Sequence, residues 1–347
     1  MSKTSTETTG LRRIALNGPT MGTRWSALFH ADPGLDPEPV RAALQAAVAE
    51  VDAQMSTWKP ESDLMRLNAA APGAWVPVPA RLLAVLGLGL EIGRASEGAF
   101  DIAMGDAVTA WGFGPEAADP ARIRAAMAGP RWPAADALEI DVAAARVRKH
   151  APLRLDLNGI AKGYGADRLI EVLAGFGLRA ALAGIDGEMR ATGLRPDGTP
   201  WTIAVEAPDP ERRAPHAILA LENAAVATSG DYRHWVEVRG RRLSHSMDPR
   251  RGAPLIDAPA SVTVVARTCA AADAWATALM VLGPDRGAAL ASSQGLDALF
   301  LMRGADGIEA RGVGALFGEA AGCDRSTMVK PEAGAPRLTA RTGESAT

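Results

Sequence analysis

The sequence has few of the residues that mark specialised classes of protein. Its 347 residues include only two cysteines, Cys269 and Cys323, and neither has a Cys or His partner at metal-ligand spacing. This argues against a zinc site and against a disulfide framework. The formal net charge is only −3 at pH 7, which argues against an electrostatic nucleic-acid binder.

Long apolar runs are also missing. No stretch approaches the roughly 18 apolar residues of a transmembrane helix, so we expect no membrane span. Residues 1–10 are polar, with no apolar signal segment and no lipobox-like Cys, and we therefore expect a cytoplasmic protein. There is no Gly-x-Gly-x-x-Gly opening a helix after a strand, so a nucleotide-binding oxidoreductase has little support.

The composition that is present is that of a globular protein. Hydrophobic residues make up 48% and charged residues 22% of the chain, enough for a substantial core. Helical and strand patterns mix without a regular strand–helix–strand rhythm, which favours an α+β fold over a doubly wound one. We expect a disordered tail over 1–12, one large unit over 13–320 and a second disordered tail over 321–347.

Local patterns predict the main elements. Asp36 and Pro37 are typical of a helix start, and apolar spacing extends that helix to Met55. The patterns also predict helices over 62–67, 79–96 and 285–291, and a strand–turn–strand unit over 13–28. Further strands are predicted over 180–183, 201–207, 218–221, 235–238, 242–245, 261–266 and 297–303.

The segment over 153–167 combines structural and chemical signals. Leu153, Leu155 and Leu157 alternate as in a strand, and a helical pattern begins after Gly159. A helix N-terminus offers free N–H groups to a phosphate, and Lys162 adds a full positive charge there. An ordinary strand–helix junction with polar caps explains the same pattern equally well.

A second polar pair lies on an alanine-rich helix predicted over 270–282 and ended by Gly283 and Pro284. Asp273 and Thr277 are four residues apart, so their oxygens project from one face. A carboxylate and a hydroxyl can form half of a Mg²⁺ site, which is completed by water and substrate phosphate. Such a pair is more often a cap or a solvent-facing helix surface.

Eight short segments, taken in order, resemble the motifs of the ApbE family of FAD:protein FMN transferases. The resemblance runs from about residue 18 to about residue 303, which is most of the chain. The segments are 20–23 (TMGT), 55–64 (MSTWKPESDL), 98–101 (GAFD), 111–114 (WGFG), 158–164 (NGIAKGY), 227–233 (ATSGDYR), 245–249 (HSMDP) and 272–277 (ADAWAT).

The resemblance implies a T-fold-like α+β unit and a Mg²⁺-dependent enzyme. The implied reaction transfers FMN from FAD to a Thr or Ser hydroxyl of a target flavoprotein that carries an Asp-x-x-Thr-like sequence, and it releases AMP. The implied metal ligands are Asp273, Thr277 and the backbone carbonyl of Ala161. The 153–167 junction and the Asp273 helix would then meet across the phosphates.

The resemblance also implies the residues that bind FAD. Trp58 matches an aromatic that stacks on the flavin ring, and a stack of this kind contributes roughly 0.5–1.5 kcal/mol beyond burial. On its own, Trp58 is more simply a core aromatic at a helix end. The other implied contacts are Met21, Ala99, Phe100, Asp101, Asn158, Lys162, Tyr164, Thr228, Ser229 and Met247. Residues 228–230 are expected to form a small-residue turn that lets the backbone approach the ligand, and the alternative is simply a strand end.

His245 has the most persuasive setting of the five histidines. It follows a predicted hairpin and precedes Ser246-Met247-Asp248-Pro249. An imidazole with a pKa near neutral could act as general base on the incoming hydroxyl. The alternative is a structural histidine at a strand end. Asp248 would either orient His245 or cap the turn before Pro249.

Two other functions use the same residues. An FAD pyrophosphatase would give FMN and AMP with water in place of the acceptor hydroxyl. A non-catalytic FAD-binding maturation factor would need neither the Asp273–Thr277 pair nor His245. Asp186 departs from the glycine that is common in the family, and its additional carboxylate would either bind a second cation or repel phosphate.

Overall fold

The computed structural model describes residues 10–209, 214–231, 235–238, 241–305 and 307–318. The helices are α1 (Pro37–Met55), α2 (Asp63–Ala69), α3 (Ala80–Ala95), α4 (Gly105–Ala110), α5 (Pro120–Ala128), α6 (Ala134–Ala137), α7 (Ala161–Gly175) and α8 (Cys269–Ser293). Most of the predicted tails, residues 1–9 and 321–347, lies outside these ranges. Arg12, which we assigned to the first tail, begins β1.

The strands are β1 (Arg12–Thr20), β2 (Thr23–Ala31), β3 (Trp75–Pro77), β4 (Leu138–Asp141), β5 (Arg146–Lys149), β6 (Ala181–Ile185), β7 (Glu188–Thr192), β8 (Trp201–Glu206), β9 (Pro215–Leu221), β10 (Ala225–Gly230), β11 (Trp235–Val238), β12 (Arg241–Ser244), β13 (Met247–Asp248), β14 (Ala253–Pro254), β15 (Ser261–Ala266), β16 (Asp297–Gly304) and β17 (Gly307–Val313). Helices and antiparallel strands mix as the α+β prediction requires.

A central antiparallel sheet has the strand order β1-β2-β6-β7-β10-β15-β16-β17. β15 shows how the sheet is buried on both faces. Val262 and Val264 pack in the core that includes residues of α3, α7 and α8, whereas Val265 packs with Trp201 beneath the β8–β9 hairpin. Side chains alternate across a strand, so one apolar run supplies both cores.

Helix ends follow their sequence signals. The Asp36 carboxylate accepts from the Glu38 amide at 3.0 Å, which caps α1 as expected. α8 begins after Thr268, whose hydroxyl accepts from the Ala271 amide. At Gly283 the backbone has φ 74° and ψ 178°, so the helix kinks where Gly283 and Pro284 predicted a stop.

The predicted strand over 153–157 is wrong, because these residues form no strand in the structure. The leucines do alternate into the core, but the backbone bonds to a loop, to the start of α4 and to one side chain instead of a neighbouring strand. The Asp156 amide donates to the Ile102 carbonyl at 2.8 Å, and the Gly105 amide donates to the Arg154 carbonyl at 3.0 Å. Alternating apolar residues indicate which side chains are buried, but they do not show which groups form hydrogen bonds with the backbone.

Of the two alternatives for residues 228–230, the turn is wrong and the strand end is confirmed. Thr228, Ser229 and Gly230 end β10, where they pair with Thr263, Val262 and Ser261 of β15. The sequence pattern also missed β3, β7, β13, β14 and β17. The β11–β12 hairpin agrees with the prediction, although its expected turn at 239–240 lies outside the described residues.

Within the described part of the chain, no helix is both long and apolar enough to span a membrane. The cytoplasmic location stays a prediction from the sequence.

Candidate active site

The predicted contact between the 153–167 segment and the Asp273 helix is confirmed. The amide of Gly163 in α7 donates to Oδ2 of Asp273 in α8 at 3.1 Å. This close approach requires glycine, since a Cβ at residue 163 would lie 2.3 Å from the Cys269 carbonyl oxygen and 2.8 Å from Cβ of Asp273. Gly163 therefore lets the two helices touch where their polar groups meet.

Asp273 is buried, and burial raises its pKa to about 6, although Lys162 and the Gly163 amide partly offset that cost. Thr277 follows one turn later in α8, and its hydroxyl lies 3.2 Å from the hydroxyl of Ser229. A Cβ on Gly159 would lie 3.0 Å from Oγ1 of Thr277. The end of β10, the start of α7 and the first turns of α8 thus surround one polar space.

Lys162 supplies the positive charge in this space. Its Nζ lies 2.8 Å from Oε1 of Glu188 and 3.6 Å from Oδ2 of Asp186. Burial disfavours the ammonium, but Glu188, Asp273 and Asp186 outweigh burial and raise its pKa. Lys162 therefore stays charged between several carboxylates.

Glu188 was missed as a functional candidate by the sequence reasoning. It is 4% exposed, and burial raises its pKa even though Lys162 opposes the shift. Its Oε2 is buried and has no hydrogen-bond partner among the described residues. Asp186, predicted only as an additional carboxylate, has φ 54° and accepts from the Thr23 hydroxyl at 3.1 Å. The β6–β7 turn thus brings two acidic side chains to Lys162, a contact that no local spacing encodes.

Met21 and Phe100 border the start of α7. A Cβ on Gly159 would meet Cε2 of Phe100 at 3.2 Å, and a Cβ on Gly165 would lie 3.6 Å from Cε of Met21. Met21 lies in the β1–β2 turn with φ 46°. Ala99 and Phe100 are buried, and Tyr164 packs against the same core.

Asp101 and Asn158 have structural partners. Oδ1 of Asp101 accepts from the amides of Ala103 and Ala134 at 2.8 and 3.1 Å, and burial raises the pKa of its carboxyl. Asn158 is exposed, and its amide and side chain donate to the two carboxylate oxygens of Asp156 at 2.8 and 3.0 Å. Both side chains therefore have partners within the protein, and ligand contacts by either residue stay predictions.

Trp58 is 60% exposed, so the structural alternative of a core aromatic is wrong. It lies at the wall of a cavity of about 200 Å³ that also includes Asn68, Gly105, Arg154 and Leu155. An exposed indole beside a cavity can stack on a planar ligand. This cavity adjoins the backbone segment that leads into α7.

His245 lies in a second group of motif residues. Its ring is edge-on to Phe113, with centroids 6.4 Å apart and an interplanar angle of 66°. Met247 is buried in a cluster with Trp111, and Trp111 Nε1 donates to the Gly252 carbonyl at 3.0 Å. The 111–114 and 245–249 segments therefore pack together. Asp248 accepts from the Arg250 amide at 2.9 Å, as expected for a turn cap.

The residues near Asp273 fit a hard divalent cation. Asp273 and Thr277 offer a carboxylate and a hydroxyl from one helix face, and Ala161 is the first residue of α7, next to Lys162. The buried Asp273 carboxylate would be stabilised by a bound cation. In the described residues no group of three or more His, Cys, Asp or Glu side chains is placed to hold a metal. A cation here would therefore depend on water and substrate oxygens as well.

The ApbE family profile matches residues 21–300. A curated FAD:protein FMN transferase of Vibrio cholerae is 34% identical over 299 residues, covering 86% of this chain and 90% of that protein. A second, from Klebsiella pneumoniae, is 34% identical over 302 residues and covers 85% of each chain.

Solved structures give the same result. The flavin transferase ApbE of Vibrio cholerae superposes with a TM-score of 0.77 at 33% identity, covering 87% of this chain and 97% of that one. The apo flavinyl transferase ApbE of Pseudomonas stutzeri superposes with a TM-score of 0.79 at 36% identity, covering 89% and 98%.

Proposed function

Because the chain belongs to the ApbE family, we propose that it transfers FMN from FAD to a Thr or Ser hydroxyl of a target flavoprotein and releases AMP. The observation that carries this proposal is the contact between Gly163 and Asp273, which joins a buried carboxylate and Thr277 to the lysine-bearing start of α7. Phosphoryl transfer requires mainly positioning and charge stabilisation, and this junction offers both.

Residues of α7 and α8 would bind the pyrophosphate of FAD. Asp273, Thr277 and the carbonyl of Ala161 would hold Mg²⁺, which supplies charge neutralisation of the pyrophosphate when bound. Lys162 would place its ammonium on a phosphate oxygen, and Glu188 and Asp186 keep that ammonium in place before FAD arrives. Glu188 and Asp186 would thus influence the phosphate only through Lys162.

The flavin and adenosine ends use the surrounding walls. Trp58 would stack on the flavin at the exposed cavity, and Met21 and Asn158 would contact it near the start of α7. Ala99, Phe100 and Asp101 would border the adenosine half. Tyr164, Thr228, Ser229 and Met247 complete the proposed binding set within a catalytic unit over 13–320.

His245 would accept the proton of the acceptor hydroxyl. The hydroxyl oxygen then forms a bond to the FMN phosphorus while the pyrophosphate P–O bond breaks, and AMP leaves with the bridging oxygen. The packing of His245 against Phe113 limits its side-chain freedom, which suits a base that must meet an incoming protein segment. The acceptor segment is proposed to carry an Asp-x-x-Thr-like sequence.

The test is mass spectrometry of a flavoprotein fragment carrying Asp-x-x-Thr after incubation with the protein, FAD and Mg²⁺. We expect a mass gain of one FMN less one water, AMP release in equal amount, and loss of both with EDTA. Changing the acceptor Thr to Val is the control. Free FMN and AMP without a mass gain would contradict the transferase and support the pyrophosphatase. FAD bound with no product would support the carrier.

A further inference from the structure

Asp167 is a buried carboxylate of α7 that faces the N-terminus of α8. It is 5% exposed. Its Oδ1 accepts from the amide of Cys269 at 2.8 Å, and its Oδ2 accepts from the amide of Ala270 at 3.0 Å. Arg190 of β7 donates to Oδ1 at 2.7 Å and balances the charge. Both carboxylate oxygens are therefore used in holding another helix.

The two amides that donate hydrogen bonds to Asp167 are the first two of α8. The first amides of a helix have no partner within the helix, and a negative charge is stabilised there. Thr268 caps the next amide, that of Ala271, at 3.3 Å. The N-terminus of α8 is thus capped twice, once from its own chain segment and once from α7.

Asp167 and Gly163 together fix α8 at two points. They are four residues apart in α7 and so lie on the same face. Gly163 contacts Asp273, and Asp167 contacts the start of α8 one turn earlier. A helix is a stiff rod with a rise of about 1.5 Å per residue, so a shift at its start displaces every side chain that follows.

We propose that Asp167 is a positioning residue that sets the axial position of α8 and thereby places Asp273 and Thr277 opposite Lys162. The inference rests on the proposed function, in which Asp273 and Thr277 hold a divalent cation. Asp167 itself touches neither the cation nor FAD. It acts through two amides of α8.

Two substitutions of Asp167 separate position from charge. Asp167→Asn keeps the size but offers one acceptor oxygen, so its NH₂ group must face one of the two amides. Asp167→Glu keeps both oxygens and the charge but moves them by one methylene group. If position is what matters, both variants disturb the cation site, and the conservative Glu variant gives no rescue.

Thr268→Ala is the matched control. It removes the other cap of the same helix end, and losing such a cap costs about 1 kcal/mol of stability. It leaves the tie between α7 and α8 intact. If Asp167 only stabilised the helix, variants of Asp167 and Thr268→Ala with the same loss of melting temperature would therefore lose the same affinity for the cation.

The readout is Mn²⁺ binding measured by electron paramagnetic resonance, without turnover, on folded protein with FAD present. Residues that orient metal ligands typically change metal affinity by about 10–100-fold when they are replaced. We expect the dissociation constant for Mn²⁺ to rise about ten-fold or more in both Asp167 variants, which is the low end of that range or above. In Thr268→Ala we expect it to rise by less than about two-fold, well below that range.

Equal weakening in all three variants would overturn the proposal, and so would unchanged affinity in the Asp167 variants. Recovery of affinity in Asp167→Glu would show that charge matters rather than position, and would also overturn it. Because cation binding is measured without FMN transfer, a failure of the proposed function can be told apart from a failure of the positioning role. Wild-type protein that binds Mn²⁺ but gives no FMN adduct would contradict the transferase and leave the positioning role intact. Absence of Mn²⁺ binding in the wild type would overturn both.

Discussion

Lys162 and Glu188 form a partly buried ion pair, with Nζ and Oε1 2.8 Å apart. The pair joins the first turn of α7 to the first residue of β7. In a buried pair the attraction must offset the loss of hydration of both charges, so removing one partner costs more than removing both. The same lysine is the proposed phosphate ligand, which ties stability and activity to one side chain.

A double-mutant cycle tests this coupling. We expect Lys162→Met and Glu188→Gln each to lower the free energy of unfolding, and the double variant to lose less than the sum by about 0.5–3 kcal/mol, the range for residues in contact. Urea unfolding at pH 7 measures the cycle. Additive losses would show that the two charges do not interact.

Gly163 provides the second prediction. Gly163→Ala puts a methyl group 2.3 Å from the Cys269 carbonyl, so α7 and α8 must separate. We expect a loss of about 1–3 kcal/mol, as for other overpacked sites, together with loss of FMN transfer. Gly175→Ala is the control, because a Cβ at the end of α7 meets nothing within 4 Å. Equal activity in both variants would contradict the proposed site.

These residues show what the sequence could predict. The resemblance to the ApbE family implies that Ala161, Asp273 and Thr277 share a metal ion, and this was enough to predict that α7 and α8 meet. The partners of Lys162 were not accessible in this way, because Glu188 reaches it across 26 residues of chain through a β-turn. Contacts between elements depend on strand register, which short motifs do not encode.

Thr277 tests the proposed cation site. Thr277→Val keeps the shape but removes the hydroxyl that lies 3.2 Å from Ser229, whereas Thr277→Ser keeps the hydroxyl. We expect Thr277→Val to lower transfer about 10–100-fold, as for other disturbed metal sites, with partial rescue by higher Mg²⁺. Steady-state rates across a Mg²⁺ titration provide the measurement. The idea fails if Val and Ser variants show the same Mg²⁺ dependence.

Asp156 predicts a pH dependence of stability. Burial raises the pKa of its carboxyl to about 6 from the ordinary 3.8, although the Asn158 amide partly offsets the shift. The folded state therefore binds the proton more tightly than the unfolded state, so this group's contribution to stability falls as pH rises from about 4 to about 6. Above pH 6 the contribution is constant.

In Asp156→Asn this slope should disappear. We expect the free energy of unfolding to fall less, between pH 4 and pH 6, in the variant than in the wild type. Chemical denaturation at the two pH values, with Asp136→Asn as a control for general charge effects, measures it. Parallel pH profiles would show that the carboxyl of Asp156 titrates normally.

The last prediction concerns Asn68, which sequence reasoning did not single out. Its side chain accepts from the Leu155 amide at 2.7 Å and donates to the Leu155 carbonyl at 2.9 Å. Asn68 thus gives Leu155 the two hydrogen bonds that a neighbouring strand would have given. This explains why alternating leucines predicted a strand that the structure does not contain.

Asn68→Ala leaves the amide and carbonyl of buried Leu155 without these partners. Each unsatisfied buried group costs about 1–3 kcal/mol, so we expect a loss of stability in that range or above. Lys149 also donates to the Asn68 carbonyl at 2.7 Å, and this bond survives the change because it uses the backbone. The loss should therefore be local to the segment that joins the Trp58 cavity to α7. Hydrogen exchange would detect it as faster exchange of the Leu155 amide, with the amides of α8 unchanged. Slow exchange at Leu155 in the variant would mean that another group, and not Asn68, holds this segment in place.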